Sequence, residues 1–356
     1  MSLKISKNSL LGFLFCSCFF YTSQIMLSPV YFGFSIVIVI LIFNFFIVDE
    51  LVVDLNFIFG SLGLLYALLI FYKVTDFGTY VNFIMCMFLL ITYSVLFKNT
   101  IFINKRVVLF FTFLLLSLYF FESFYRISNP IITEKMLSNP DESLLFYKYK
   151  FNSIMFIDSN FVALSLISFI VTVDILFEKS KMKTYLFSML FILLVLTFSR
   201  AALISVVLYF FLKHTNLNTK FIFSIIIGLT LLYIIPIIVN DGSYLSKIKI
   251  LNVFYQYLLR IDTFTFLFGS GVGTSADVLG IGSHNLFVLL VVEFGFISLL
   301  GFFSFVIFNI YHTSCKSFPY WCSIFVCGFS LGSIYVFIFL PALLLTSKYR
   351  SVCNEE

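Results

Sequence analysis

Charged side chains are scarce in this chain: of its 356 residues only 11% are Asp, Glu, Lys or Arg, whereas 61% are hydrophobic. A water-soluble domain needs far more polar atoms on its surface, so this composition excludes one. The seven cysteines form no CxxC pair and no Cys/His cluster, which argues against a zinc site and a disulfide framework. The net charge of +5 comes largely from lysines that flank apolar runs, which indicates membrane orientation and no nucleic-acid binding.

Long apolar runs are abundant, and several exceed the roughly 18 residues that distinguish a membrane-spanning helix from a core helix. Each run must be helical, because hydrocarbon offers no solvent to satisfy backbone groups. The sequence therefore predicts an all-α, polytopic integral membrane bundle, one domain over residues 1–356, with about eleven spans and a range of ten to twelve. The predicted spans are 9–27, 30–48, 54–72, 78–97, 107–125, 154–177, 184–198, 201–212, 221–239, 284–310 and 320–345.

Lysine and arginine are distributed unequally between the two sides of these spans. With a cytoplasmic N-terminus, the short outer connections hold only Lys73 and Arg200. The inner side holds many more, which is the positive-inside pattern: Lys4, Lys7, Lys98, Lys105, Arg106, Lys179, Lys181, Lys183, Lys213, Lys220 and Lys316. The longer outer, periplasmic segments are then about 126–153 and 240–283, the larger one before the last helices.

The C-terminal tail is the weak point of this topology. Eleven spans would place Lys348 and Arg350 outside, against the positive-inside pattern. Residues 320–345 could instead form a bent pair of short helices, which would return the tail to the cytoplasm. The residues around which that pair would bend are Gly328, Gly332 and Pro341.

Residues 184–198 and 201–212 predict a hairpin with Ser199 and Arg200 at its tip, because lysines flank both outer ends. Its arms would be only about 18 to 22 Å long, whereas a hydrocarbon core is about 30 Å thick. The tip is therefore expected to be recessed, with the Arg200 guanidinium in a partly dehydrated site. The alternative is an arginine that snorkels to the interface.

A glycine run at residues 269–274, Gly-Ser-Gly-Val-Gly-Thr, follows Arg260 in the second outer segment. Glycines with small hydroxyl residues let a backbone approach a ligand, and their N–H groups can cradle phosphate. The alternative is a simple turn, and the run matches neither a P-loop nor a dinucleotide motif. Arginine suits diphosphate, because its planar fork makes two parallel charge-assisted hydrogen bonds.

His284 lies in Ser283-His284-Asn285, at the start of the predicted span 284–310. Its unperturbed pKa of about 6.5 would let it accept a proton from a sugar hydroxyl. The alternative is an amphipathic boundary anchor, which also describes His214 and His312. Glu293 would lie about 13 Å deeper along a straight helix. It is either a functional group or a structural one that pairs with a basic residue.

Three other polar groups have simple structural explanations. Asp158-Ser159-Asn160 is either part of the site or an N-cap. Glu122 and Arg126, four residues apart, predict a local ion pair. Asp174 lies near the cytoplasmic end of the predicted span 154–177, where we expect solvent to stabilise its charge.

Together these residues resemble the O-antigen polymerase and O-antigen ligase superfamily. The resemblance covers residues 155–300 and rests on Phe198-Ser199-Arg200-Ala201, the spacing from Arg260 to Gly271, Ser283-His284-Asn285, and Glu293-x-Gly295. Asp158-Ser159-Asn160 resembles the family's Asp-Pro-Asn, with serine in place of proline.

The resemblance implies a metal-independent, inverting glycosyltransferase at the periplasmic face of the bacterial inner membrane, with no cofactor. Its donor would be an undecaprenyl-diphosphate-linked oligosaccharide. Arg200 and Arg260 would bind the diphosphate, and His284 would act as base or orient the acceptor hydroxyl. The remaining substrate-contacting residues would be Gly271, Asn285, Asn160 and Glu293.

The favoured interpretation is an O-antigen polymerase that joins lipid-linked repeat units in lipopolysaccharide biosynthesis. The alternatives are an O-antigen ligase that transfers glycan to lipid A-core, or a capsule or exopolysaccharide polymerase. A lipid-linked oligosaccharide flippase is an alternative of a different class, although no internal repeat is evident. The partners that the resemblance implies are the lipid bilayer, a chain-length regulator and a flippase.

Overall fold

The structure is a computed structural model, and it describes residues 7–22, 28–47, 53–96, 101–103, 105–132, 147–156, 158–178, 181–215, 242–346 and 349–351. These residues are mainly helical. The helices are α1 (Lys7–Phe19), α2 (Pro29–Ile47), α3 (Leu55–Ile70), α4 (Phe77–Leu96), α5 (Lys105–Ser128), α6 (Ser159–Leu176), α7 (Met182–Leu196), α8 (Arg200–His214), α9 (Gly242–Leu258), α10 (Thr263–Phe268), α11 (Ser275–Leu279), α12 (Leu286–His312), α13 (Phe318–Gly328) and α14 (Val336–Thr346). Single 3-10 turns lie at Phe71–Lys73 and Tyr147–Tyr149, and two short strands are β1 (Ile101–Ile103) and β2 (Tyr349–Ser351).

Five helices in the described part of the chain are long and apolar enough to cross a membrane. They are Leu55–Lys73, Phe77–Val95, Arg106–Ser128, Ser159–Leu176 and Leu286–His312. The helical membrane character expected from the sequence is therefore supported. The predicted span 221–239 lies outside the described residues.

Two segments differ from a simple series of spans. The predicted span 320–345 is divided into α13 and α14, so the alternative of two short helices is confirmed. The predicted outer segment 240–283 contains three helices, α9, α10 and α11. The interruption after α13 includes Gly332, where a Cβ atom would collide with the carbonyl oxygen of Ser283.

The chain divides into two compact units, and each is described by itself. The first unit comprises residues Met1–Leu64, Ile84–Leu203 and Tyr335–Glu356. The second comprises Leu65–Phe83 and Ile204–Ile334.

Helix α6 is the centre of the first unit, and it is buried along most of its length. It packs against α7 and α14, while α1 packs against α2, α5 and α14. The hydroxyl of Ser165 donates to the Val162 carbonyl and accepts a 2.8 Å bond from the Tyr119 hydroxyl. Such bonds allow polar side chains to lie inside an apolar bundle.

Asp174 lies near the end of α6, where the sequence suggested solvation. That expectation is wrong, because Asp174 is fully buried and forms a 2.5 Å ion pair with Lys183 at the start of α7. A buried carboxylate requires such a partner, since its desolvation would otherwise be costly.

The two strands of the first unit pair in parallel, with Ile101 opposite Tyr349 and Ile103 opposite Ser351. Strand β1 lies in the connection between α4 and α5, and β2 lies in the C-terminal tail. The pairing therefore brings residues 349–351 to the same side of the first unit as that connection.

In the second unit, α9 and α11 pack on the first part of α12. The buried cluster consists of Ile250, Leu279, Val288 and Val292. Helix α13 runs back along the later part of α12, where the Trp321 indole donates a 2.9 Å hydrogen bond to the Asn309 side chain. This packing leaves the loop between α10 and α11 beside residues 292–295.

Candidate functional site

Arg126 organises one polar cluster of the first unit. It forms the predicted ion pair with Glu122, at 2.9 Å between Nε and Oε1, and both side chains are 0% exposed. Its two remaining guanidinium nitrogens donate to the Tyr149 carbonyl at 2.5 Å and to the Leu196 carbonyl at 2.9 Å. The ion-pair prediction is confirmed, and the same guanidinium joins the ends of α5 and α7.

The turn between α7 and α8, Thr197–Ser199, carries Arg200 as the first residue of α8. Phe198 has a positive φ of 56°, and its ring stacks on Tyr149 with centroids 5.9 Å apart. The Thr197 hydroxyl donates to the Leu194 carbonyl at 2.6 Å, which closes the end of α7. A turn therefore separates α7 from α8 at the position that the sequence predicted.

The Asp158-Ser159-Asn160 segment lies beside that turn. The Ser159 hydroxyl donates a 2.9 Å hydrogen bond to the Thr197 carbonyl, which joins two segments 38 residues apart. Asp158 caps α6 by accepting the Asn160 N–H at 2.8 Å, as the N-cap interpretation predicted. The Asn160 side chain also bonds to the Asp158 carboxylate at 3.2 Å, and Arg200 is exposed.

In the second unit, the glycine run lies against the turn between α3 and α4. The N–H groups of Thr75 and Asp76 donate to the Val272 carbonyl at 2.9 and 3.0 Å, and the Thr75 hydroxyl does so at 2.8 Å. The Lys73 ammonium donates to the Gly269 carbonyl at 2.8 Å and lies 4.8 Å from the centre of the Phe264 ring. Lys73 is therefore a packing partner of the loop, not a free outer charge.

Gly271 and Gly273 allow this close approach. Gly271 has φ +127°, and a Cβ atom there would collide with the Lys73 carbonyl oxygen. Gly273 has φ +91°, and a Cβ atom would collide with the Asp76 side chain. Both positions need glycine for conformation and for space.

Glu293 fixes the other side of the glycine run and is 3% exposed. Its carboxylate accepts the Gly273 N–H at 3.0 Å and the Ser275 N–H at 3.4 Å. The Ser270 N–H donates to the Val292 carbonyl at 2.8 Å. The N–H groups of Ser270, Gly273 and Ser275 thus bond within the protein, which agrees with the alternative of a simple turn.

The contacts of Glu293 favour its structural alternative, with one difference. Its partners are backbone N–H groups of the loop, whereas the sequence suggested a basic side chain. A carboxylate that accepts two N–H groups ties the loop to α12 without a second charge.

The backbone of α12 breaks at Gly295, which has φ +79° and ψ 170° inside the helix. A Cβ atom at Gly295 would collide with the Leu267 carbonyl oxygen, and one at Gly269 would collide with the Glu293 carbonyl oxygen. The Tyr66 hydroxyl donates to the Phe294 carbonyl, immediately before the break. Two glycines facing each other therefore let the end of α10 enter the break.

The Ser283-His284-Asn285 segment precedes α12. Asn285 is its N-cap, because its side-chain oxygen accepts the N–H groups of Phe287 at 3.0 Å and Val288 at 3.2 Å. The Ser283 hydroxyl donates to the Ser275 hydroxyl at 3.0 Å. His284, between these two buried residues, is exposed.

Arg260 lies in the turn between α9 and α10 and is exposed. Asp262 caps α10 by accepting the N–H groups of Phe264 and Thr265, both at 3.0 Å. Hydrogen bonds from Thr265, first through its hydroxyl, lower the pKa of Asp262 below its ordinary value. Burial raises the pKa of Tyr257 at the end of α9.

The predicted site residues thus fall into two groups. Arg200 and Asn160 belong to the first unit, and the Ser159–Thr197 bond joins their segments. The others belong to the second unit, where Gly271, Asn285 and Glu293 lie around one loop. Their roles toward a substrate stay predictions.

Residues that sequence reasoning missed are Lys73, Thr75 and Asp76 in the second unit and Tyr149 in the first. The only sequence signal for Lys73, Thr75 and Asp76 was their position in a polar turn between two apolar runs. In the described residues no group of three or more His, Cys, Asp or Glu side chains is placed to hold a metal ion. Comparisons of the chain with protein-family models, curated proteins and solved structures find no match.

Proposed function

We propose that this chain is an O-antigen polymerase of the bacterial inner membrane, with ten to twelve spans and a site that faces the periplasm. It would join undecaprenyl-diphosphate-linked oligosaccharide repeats by inverting glycosyl transfer without a metal. Arg200 and Arg260 would bind the donor diphosphate through bidentate, charge-assisted hydrogen bonds.

In the proposed reaction, a hydroxyl oxygen of the acceptor sugar attacks the anomeric carbon of the donor. The new bond forms as the bond from that carbon to the diphosphate oxygen breaks, and undecaprenyl diphosphate leaves. His284 accepts the hydroxyl proton or orients that hydroxyl. The arginines stabilise the negative charge that develops on the leaving diphosphate.

The observation that supports the proposal best is the 2.9 Å Ser159–Thr197 hydrogen bond, which joins two of the family-like segments. It brings the Asp-Ser-Asn and Ser-Arg segments to one end of the first unit. Within the second unit, the Glu293–Gly273 and Ser275–Ser283 bonds gather the other three segments in the same way.

A deletion strain examined for envelope glycans tests the proposal. A polymerase predicts loss of the long-chain ladder while a single attached repeat is retained. Loss of all attached glycan, with lipid-linked polymer accumulating, would indicate the ligase instead. An unchanged ladder would exclude both.

A flippase is the second candidate, favoured by the break in α12, because interrupted helices commonly line transport sites. The same deletion strain distinguishes a flippase from a polymerase. Loss of a flippase leaves lipid-linked single repeats on the cytoplasmic face, with no repeat attached outside.

A further inference from the structure

Helix α9 has three different sides when successive residues are placed about 100° apart around its axis. The first, the packed side, contacts the rest of the second unit. It holds Ile250 in the buried cluster, and its other members pack against that cluster: Val253, Phe254 and Tyr257. These four residues lie within an arc of about 100°, so most of the circumference of α9 faces away from the cluster.

The second, the apolar side, faces outward. Its members are between 37% and 64% exposed: Ile248, Leu251, Tyr255 and Leu259. Leu259 continues the helix, because its N–H donates to the Tyr255 carbonyl at 3.2 Å. The four residues lie within an arc of about 80°. A continuous exposed apolar stripe of this kind marks a contact with lipid or with protein.

The third, the polar side, is exposed as well and covers an arc of about 120°. Its members are Ser246, Lys249, Asn252 and Gln256. Two lysines and no acidic residue occur in α9, and an exposed lysine in the middle of a helix is costly inside hydrocarbon. Helix α9 is also not among the helices of the described chain that are long and apolar enough to cross a membrane.

The C-terminal end of α9 lies at a membrane boundary. Residues 259–262 connect it to α10, whose Phe264 ring lies 4.8 Å from the Lys73 ammonium. Lys73 is the last residue of one candidate span, and Phe77 is the first residue of the next. Exposed aromatic rings surround this turn, as in the aromatic belt of a membrane–water interface: Phe71, Tyr72, Phe77 and Phe264.

The middle of α9 is connected to the same turn. Ile250 shares the buried cluster with Val292, whose carbonyl accepts the Ser270 N–H at 2.8 Å. Two residues further, the Val272 carbonyl accepts the Thr75 N–H at 2.9 Å. Helix α9 has 17 residues and is about 25 Å long, so two points half its length apart reach one boundary turn. The helix therefore runs along the boundary.

We infer that α9 lies in the plane of the membrane interface, with its apolar side in the acyl chains and its polar side against the headgroups of anionic phospholipid. The centres of these two sides are about 120° apart around the axis, and the packed side holds the helix to the protein. Basic amphipathic helices bind anionic lipid through buried apolar area and charge attraction, which Lys249 supplies here. The lipid contact does not depend on the proposed function, which determines only that the leaflet is the outer one.

Tryptophan substitution in the full-length protein in nanodiscs tests the position of α9. The chain has one tryptophan, Trp321, and it is buried, so the unsubstituted protein gives a constant background. Tyr255→Trp places a ring on the apolar side, and Gln256→Trp places one at the adjacent position on the polar side. Leu68→Trp, at an exposed position of α3, is the control for a ring in lipid.

Lipids brominated in their acyl chains should quench the Tyr255→Trp protein as strongly as the Leu68→Trp protein, and the Gln256→Trp protein much less. Iodide in the water should quench the two α9 variants in the opposite order. Strong quenching of both variants by brominated lipid would place the whole helix in hydrocarbon and overturn the inference. Quenching of neither would mean that water, another part of the protein or a second copy covers the apolar side, which also overturns it. Leu259→Trp is the second probe of the apolar side, should Tyr255→Trp not fold.

Energy transfer from the Gln256→Trp protein tests the headgroup. The acceptor is a dansyl group on the acyl chain of either phosphatidylglycerol or phosphatidylcholine, and transfer should be stronger to phosphatidylglycerol. Adding Lys249→Gln should lower this preference about fivefold, the contribution of one lysine near an anionic surface. Lys316→Gln removes an exposed lysine from the turn before α13 and should leave the preference unchanged. Equal transfer to the two lipids, or a preference that persists in the Lys249→Gln protein, would refute the anionic partner.

Discussion

At the scale of single residues, Arg126 is the side chain with the greatest consequence for the fold. It is fully buried and satisfies Glu122 and two backbone carbonyls at once. Removal of one partner of a buried ion pair leaves an uncompensated charge and costs about 3–5 kcal/mol. Replacement of both partners by apolar residues of similar size costs much less.

We therefore expect Arg126→Met to lower the free energy of unfolding by about 3–5 kcal/mol. The double variant Glu122→Leu, Arg126→Met should recover a large part of that loss. Thermal unfolding of the purified protein in detergent measures both. Equal destabilisation in the single and double variants would mean that the carbonyl contacts, not the buried charge, dominate.

Arg200 and Arg260 are exposed, and their substitution tests the proposed contacts with the donor diphosphate. Arg200→Ala or Arg260→Ala should abolish long glycan chains in a complemented deletion strain, while the protein stays inserted. Lysine at either position should restore only part of the activity, because the bidentate fork is lost.

His312→Ala, at the end of α12, is the matched control for these two arginines and should leave chain length unchanged. Wild-type chain-length profiles in the alanine variants would count against the assignment of both arginines.

At the scale of elements, Gly295 has a conformation that L-residues rarely adopt, and it has no space for a Cβ atom. Gly295→Ala should destabilise the protein by about 1–3 kcal/mol, from backbone strain alone. Gly301 lies after the break in the same helix, and nothing lies within 4 Å of a Cβ atom built there. Gly301→Ala should instead stabilise the protein by about 0.5–1 kcal/mol.

The two glycine variants differ by one methyl group each, so their unfolding temperatures can be compared directly. Similar effects at the two positions would mean that α12 is a straight helix in the membrane.

Local features of these elements were predictable from the sequence, and non-local ones were not. The Glu122–Arg126 pair, the Asp158 cap and the turn before Arg200 depend on neighbours within a few residues, and all three are confirmed. The fold of α12 depends on Leu267 and Gly269, more than twenty residues away. Hydropathy alone reads residues 284–310 as one straight span, so the break at Gly295 was not predicted.

At the scale of the whole molecule, the parallel strand pair bears on the topology. It places residues 349–351 beside residues 101–103, in the connection between α4 and α5. That connection is cytoplasmic in the positive-inside assignment, because it is flanked by Lys98, Lys105 and Arg106. The tail then lies in the cytoplasm too, which requires an even number of crossings.

A reporter fused after the last residue tests this topology. A green fluorescent protein fusion should be fluorescent, because this reporter matures in the cytoplasm. An alkaline phosphatase fusion should be inactive, because this enzyme matures only on the periplasmic side. Fusions after Lys73 are the control and should show the opposite pattern. A phosphatase-positive tail would restore the odd count of eleven.

The break in α12 also has a consequence for biosynthesis. Three of the groups that contact the break at Gly295 precede it in the chain: Tyr66, Leu267 and Gly269. During translation, these three partners are therefore made before the glycine leaves the ribosome, and Ser298, which donates to the Gly295 carbonyl, follows three residues later. The break can form as soon as α12 is released into the bilayer, without waiting for the C-terminal helices.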